Sequence, residues 1–341
     1  MKTNKIIIAI IIGFVLTSCF SEKYRIITRV HRDGSCWREI QTIADSMAFL
    51  FPYDLSSGWE ISQTDTVVDE YLSPKNKKII MVGKKFNSVD ELSEGLHSDK
   101  IFPVAKESLK KRFRWFYTYY AFTAVYPEIT DKGQVPLENY LNKAEQKFYL
   151  QGDMSAYRGM AGWELKEALN DIDDRFMEWY NRSMYGESLD IIMHYAGADF
   201  HSKLSAVKDT LYSINKKQMS EPTGVKEVCL ILDKYLVTDR FSNLYAENEQ
   251  AMDSLLEERT KVTDELLNFD LQYELTLPGK IIATNTPLQN EGTLVWGIHL
   301  FRFLADDYTL TAESRTVNGW AFAITLLLIV FAVYCFCKSN K

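Results

Sequence analysis

Leu271-Gln272-Tyr273-Glu274-Leu275-Thr276-Leu277 alternates strictly between apolar and polar side chains. A two-residue period puts the apolar side chains on one face, so the stretch reads as a strand with one buried side. Its position decides the fold. The residues before it, 104–267, read at a helical period. Leu165, Leu169, Ile172, Phe176 and Trp179 recur at steps of four and three. Leu189, Met193, Ala196, Phe200, Leu204, Val207, Leu211 and Ile214 do the same and form one stripe. Residues 137–150, 225–236 and 246–267 read as further helices, punctuated by Pro127, Pro136, Gly152, Gly186 and Pro222-Thr223-Gly224.

Strand signals lie on the other side of that block too. Residues 24–30 alternate, His31-Arg32-Asp33-Gly34-Ser35 supplies a turn, and residues 36–40 return as a second strand. Residues 58–62 and 77–86 read as strands. Ser88 with Glu91 three residues later makes a capping box for a short helix to about Leu96. After Leu277, Pro278-Gly279 turns the chain into strands at 280–284, 293–296 and 308–314, with a loop at 287–292. The class is therefore α+β. A small sheet-containing domain is built from both ends of the chain, residues 19–103 and 268–317, and is interrupted by an α-helical insertion at 104–267. Such an insertion is tolerated because loop-closure cost grows only slowly with length.

The two termini read as membrane segments. Lys2 and Lys5 precede the apolar run Ile6 to Val15, and Thr17 and Ser18 follow it, which is the order of a secretory signal. As a helix the apolar part is roughly 18 Å long, too short for a hydrocarbon core of about 30 Å. Leu16-Thr17-Ser18-Cys19 resembles the bacterial lipobox, which implies a signal peptide at 1–18 and acylation of Cys19. The alternative is an uncleaved signal anchor with an incidental cysteine. At the far end, residues 319–337 carry no charge, a length that matches a transmembrane helix. The span is taken as 318–337. Trp320 and Tyr334 flank it at interfacial positions, and Lys338 and Lys341 place the tail 338–341 in the cytosol by the positive-inside bias. The bulk of the chain then lies outside the cytosol, on the periplasmic side of a bacterial cytoplasmic membrane. It is held there by the Cys19 lipid and the C-terminal helix.

Several residues together resemble the LppM-like domain of bacterial envelope lipoproteins. They are Leu277-Pro278-Gly279-Lys280-Ile281-Ile282-Ala283-Thr284-Asn285, then Gly292-Thr293-Leu294-Val295-Trp296, followed by a strand and a membrane helix. Residues 24–39, with Asp33-Gly34-Ser35, and residues 86–96 look like that domain's opening hairpin and strand–helix step. The resemblance covers roughly a third of the chain and leaves out the helical insertion. It implies a compact α/β domain at the membrane, with lipid or glycolipid binding.

Composition and motifs limit the chemistry. A net charge of −7 leaves no nucleic-acid footprint. No GxSxG, HExxH, P-loop or GxGxxG occurs, and no cofactor or metal is expected. His194 and His201, with Asp190 and Asp199, lack a metal-ligand spacing, and Asp171, Asp173 and Asp174 read as a solvated helix face. Cys36 and Cys229 are the two exported cysteines left after Cys19, and they are either a disulfide or two buried thiols. Trp59, Trp163, Trp179 and Trp296 read as core. The unusual stretch is residues 106–120, KESLKKRFRWFYTYY. Its cations Lys106, Lys110, Lys111, Arg112 and Arg114, beside Trp115, suit an anionic membrane surface or lipid headgroups. The alternative is a core element whose basic stems cover apolar surface. Asn76, Lys77, Lys78, Lys84 and Lys85 extend the same patch if the fold gathers them. The expected function is a non-catalytic protein that binds lipid or an envelope protein partner at the membrane surface. The rivals are a hydrolase or transferase acting on envelope polymers, marked by acids and bases converging in a cleft, and a scaffold subunit of a membrane complex, marked by an exposed apolar stripe.

Overall fold

A computed structural model describes residues 22–43, 58–64, 71–72, 79–93, 104–129, 135–216 and 223–339. The signal segment 1–18, Cys19, Asn76, Lys77, Lys78 and Lys341 lie outside the described residues. The fold is α+β, and the chain divides into two compact units. One comprises residues up to 127, 268–299 and 307 onward; the other comprises 128–267 and 300–306.

The first unit holds two sheets. In the larger, β1 (Glu22–Val30), β2 (Cys36–Ile43), β3 (Glu60–Thr64) and β4 (Ile79–Phe86) join β7 (Phe269–Thr276), β9 (Leu288–Asn290) and β10 (Thr293–His299). The strand order is β3-β4-β2-β1-β7-β10-β9. The β1–β7 pairing is parallel, from Glu22 opposite Phe269 to Arg29 opposite Thr276. In the smaller sheet, β5 (Lys106–Phe113), β6 (Tyr117–Tyr126), β11 (Tyr308–Val317) and β8 (Lys280–Thr284) run in that spatial order, all antiparallel. The inner faces meet, with the rings of Phe122 and Tyr273 6.1 Å apart.

The start of the helical region differs from the sequence reading. Residues 106–126 are strands, and the helical unit begins at Glu128. The burial of β6 shows why. Thr118, Tyr120, Phe122, Ala124 and Tyr126 are buried while the residues between them are half-buried, a two-residue period built from aromatic and β-branched side chains. The second boundary moves as well. Residues 300–306, within the 268–317 segment, belong to the helical unit, where Phe301 meets Phe176 and the Phe303 carbonyl accepts from the Ile129 amide. The 287–292 loop contains the short strand β9, and the Ser88 segment forms a single 3-10 turn, Asp90–Ser93.

The helical unit consists of α1 (Lys143–Gln151), α2 (Gly162–Ala196), α3 (Ala198–Asn215), α4 (Val225–Leu236) and α5 (Arg240–Asn268). The stripe from Leu189 to Ile214 is divided between two helices. Gly197 has φ of 86°, which ends α2 and starts α3 in a new direction, and leaves Ile214 64% exposed. Leu189, Ile192, Leu204, Val228, Leu232 and Phe241 are fully buried at the centre of the core. Trp179 and Trp296 are core residues, whereas Trp163 is 68% exposed. The last helix, α6 (Gly319–Ser339), belongs to the sheet unit and carries exposed apolar side chains along most of its length.

Cys36 and Cys229 are both free and buried, one in each unit, so the structure takes the two-thiol alternative to the disulfide. Burial pushes each thiol up to about 12, which keeps it protonated and unreactive. Alkylation at pH 8 without reductant is expected to spare both cysteines in the folded chain and to label both after unfolding. A mass showing them joined would contradict this arrangement. Gly279, at φ of 83°, turns β7 into β8, and a Cβ there would lie 2.3 Å from the Arg315 carbonyl oxygen. Gly279→Ala is expected to cost about 2–4 kcal/mol in a denaturant titration, combining the left-handed backbone with the overlap.

Candidate membrane-interface site

The β5–β6 hairpin ends in a tight turn. The Arg114 amide donates to the Tyr117 carbonyl at 2.7 Å, and the Tyr117 amide donates back to Arg114 at 3.2 Å. This projects Trp115 and Phe116 from the sheet. Antiparallel pairing with β11 then brings the hairpin tip to the residue at which β11 gives way to α6, since Tyr117 is opposite Val317.

Asn318 joins the two elements. Its side-chain amide donates to the Arg114 and Trp115 carbonyls at 2.9 and 3.2 Å, and its side-chain oxygen accepts from the Thr118 hydroxyl at 3.0 Å. Its backbone amide donates to the Phe116 carbonyl, and its carbonyl accepts from the Ala321 amide, both at 2.9 Å. Aromatic rings close over this junction. Phe113 stacks on Trp320 at 6.1 Å, Trp115 meets the edge of Trp320 at 5.2 Å, and Phe116 meets Phe322 at 4.6 Å. Trp115 donates its indole N–H to the Thr325 hydroxyl at 2.9 Å, in the second turn of α6. Phe113, Trp115 and Trp320 nevertheless remain 45–60% exposed. The result is a collar of aromatic rings around the first turns of an apolar helix, in which Trp115 and Trp320 are of the amphipathic kind favoured at a membrane–water boundary.

Strand alternation sorts the cations that the sequence groups together. Lys106, Lys110 and Arg112 lie on the outer face of the small sheet and are exposed. Lys111 lies on the inner side, where it donates to the Arg32 carbonyl at 2.7 Å and sits 5.8 Å from the Tyr120 ring. Lys84 and Lys85 belong to β4 of the larger sheet and do not extend the outer face of the smaller one. Two cations that the sequence does not associate with the stretch join it instead. Arg315 of β11 is opposite Tyr119, and Lys280 of β8 is opposite Arg315.

Acidic and basic groups also converge inside the sheet unit, in a different setting. Arg38 donates to Glu107 at 2.5 Å and to the Tyr273 hydroxyl at 3.2 Å. The Tyr273 hydroxyl contacts Glu107 and the Thr28 hydroxyl, each at 3.0 Å. All four residues are at most 5% exposed. Burial, reinforced by the Glu107 charge, holds the Tyr273 phenol far above its ordinary range. The network joins the facing sheets and is sealed from solvent. A shallow depression in the helical unit, near 540 Å³, is lined by Asp233, Lys234, Val237, Thr238 and Asp239. One of its two carboxylates, Asp233, accepts from the Phe241 and Ser242 amides at the start of α5. Among the described residues no group of three or more His, Cys, Asp or Glu is placed to hold a metal ion. Asp171 pairs with Arg175 at 2.7 Å, and Asp173 accepts from the Tyr149 hydroxyl.

The Leu277–Asn285 and Trp296 stretches also have a structural role. Asn285 accepts from the Trp296 indole and the Thr311 amide, each at 3.0 Å, and donates to the Thr309 carbonyl at 2.6 Å. It thereby ties β10 of one sheet to β11 of the other. Comparison with family models, curated proteins and solved structures finds no match to the chain. The likeness to the LppM-like domain therefore rests on the quoted residues alone.

Asn318→Ala removes three side-chain hydrogen bonds, whereas Asn318→Asp removes the two donated ones and sets a carboxylate against the Arg114 and Trp115 carbonyls. Unsatisfied groups of this kind cost about 1–3 kcal/mol each. In detergent, trypsin cleavage after Arg112 and Arg114 is expected to accelerate about tenfold in Asn318→Ala and more in Asn318→Asp. Unchanged cleavage would show that Asn318 does not fix the hairpin.

Proposed function

We propose that this is a bacterial envelope protein held at the outer surface of the cytoplasmic membrane by an acylated Cys19 and a spanning α6, acting there as a non-catalytic lipid- or partner-binding protein of LppM-like type. The observation that carries the reading is the docking of the aromatic hairpin tip onto the first turns of α6. A helix of 21 residues is roughly 30 Å long, the thickness of a hydrocarbon core. Leu326, Leu327, Phe331 and Phe336 are each more than 60% exposed. A large apolar side chain left in water forgoes about 1.5–3 kcal/mol. Summed along α6 that is on the order of 10 kcal/mol, comparable to the whole net stability of a domain. A bilayer removes this cost, and the rings at the start of α6 then sit at the headgroup level.

The non-catalytic part of the proposal is supported by where the ionisable groups are. The Arg38–Glu107–Tyr273 network is enclosed between sheets, and Asp233 caps a helix. A scaffold role has one observation in its favour. Met154, Met160 and Trp163 are all more than 40% exposed around the start of α2, an apolar surface on the helical unit.

The test compares the full chain, Cys19→Ala, a chain ending at Asn318, and that shortened chain with Cys19→Ala, by intact mass and carbonate-washed membrane fraction. The full chain is expected to carry acyl mass. Each single change is expected to leave the protein on the membrane, and the combination to release it. A full-length Cys19→Ala protein removed by carbonate would exclude a spanning α6. An unacylated, unprocessed N-terminus would exclude the lipoprotein anchor.

A further inference from the structure

The outer face of the small sheet carries a charge arrangement that the fold does not neutralise. In register, Arg112 of β5 is opposite Tyr119 of β6, Tyr119 is opposite Arg315 of β11, and Arg315 is opposite Lys280 of β8. Residues directly opposite in a sheet point to the same side, so these four form one row across all four strands. Strands lie about 4.8 Å apart, which makes the row roughly 14 Å wide between backbones. Arg and Lys side chains of this length can converge over Tyr119.

Two features separate the row from an ordinary solvated face. First, Arg315 and Lys280 are like charges placed directly opposite, a destabilising arrangement, and among the described residues neither forms an ion pair. Arg112 forms none either. On this face the acid nearest in sequence to Arg315 is Glu313, and its register partners are Ala121 and Ala283 rather than a cation. Secondly, the row has a fixed height. Arg315 precedes Asn318 by three strand residues, roughly 10 Å. The headgroup layer on each side of the hydrocarbon is about 5–8 Å thick. With α6 entering at Gly319, the long side chains of the row reach that layer. The Arg315 guanidinium already leans over Tyr117, 4.7 Å from the ring, on the side of the hairpin tip.

We infer that Arg112, Arg315 and Lys280 form a binding site for the phosphate of an anionic phospholipid in the leaflet that α6 enters. The inference rests on the membrane reading above and adds a ligand and its residues. A phosphodiester supplies the negative charge that the opposed pair lacks, two guanidinium groups offer planar forks to its oxygens, and Tyr119 provides a surface under it. The adjacent apolar helix and aromatic collar give the acyl chains a place beside the protein, which a free phosphate would not use.

The experiment uses the full chain in mixed micelles containing phosphatidylglycerol and phosphatidylcholine at equal amounts, with retained lipid counted by native mass spectrometry. The wild type is expected to keep phosphatidylglycerol in preference to phosphatidylcholine by at least tenfold. Arg112→Gln with Arg315→Gln and Lys280→Gln is expected to abolish the preference, and Lys280→Gln alone to reduce it severalfold. Lys84→Gln with Lys85→Gln and Lys226→Gln, the same change in charge placed away from that face, is expected to keep it. Because Lys280→Gln relieves a like-charge pair on an exposed edge strand, its Tm is expected to equal or exceed that of the wild type. Equal preference in the row variant and the wild type, or equal loss in the displaced-charge variant, would overturn the site. Displacement of the lipid by millimolar inorganic phosphate would overturn the lipid as ligand. A wild-type chain that carbonate washes from membranes would instead bring down the membrane reading, so the two failures are distinguishable.

Discussion

Everything in the sheet unit depends on the parallel pairing of β1 with β7. These strands are more than two hundred residues apart in the chain, yet they match over eight consecutive positions at the centre of the larger sheet. No hairpin can make this contact. The chain between must leave, fold and return, and the logarithmic dependence of closure entropy on length makes the excursion tolerable. Once formed, the pairing places β2 on one side and β10 on the other, and each extends the sheet by an antiparallel neighbour. It also brings Tyr273 of β7 within reach of Thr28 of β1 and Arg38 of β2.

That polar contact does what an apolar core alone would not. Glu107 comes from the other sheet, and its carboxylate meets both Arg38 and Tyr273. A buried ion pair of this kind adds little net stability against an apolar alternative, but losing one partner costs about 3–5 kcal/mol. It therefore penalises any register in which Glu107 is not opposite Arg38. A slip of one residue in β5 would turn Glu107 outward and drive Lys106 or Ser108 into the interface. The same slip would exchange the outward Arg112 for Lys111 or Phe113. The network between the sheets and the cation row on the outer face are thus two consequences of one register.

The sequence carried the class and most element types, and its errors have physical causes. Periodicity was reliable where one face is buried and the other is wet, as in Leu271–Leu277 and residues 225–236. It failed in residues 106–126, where three consecutive cations, Lys110 to Arg112, run into a hairpin tip that still exposes Phe113 and Trp115. Exposed apolar side chains and a run of like charges erase the contrast that an alternation needs. It also failed at Gly197, because a stripe has no mark for a change of direction other than the glycine itself.

The interface site was legible in part for a related reason. Composition singled out residues 106–120, and the uncharged run singled out 319–337, but nothing in one dimension says that they touch. That follows from the β6–β11 register, which only pairing can set. Asn318 was invisible for the same reason, since its hydrogen bonds go to carbonyls about two hundred residues away. Arg315 and Lys280 look unremarkable in sequence, and their opposition exists only once β8 lies beside β11. The proposed membrane role is therefore encoded at two levels. Apolar length marks a helix long enough to cross a bilayer, and strand register decides which side chains surround its first turns.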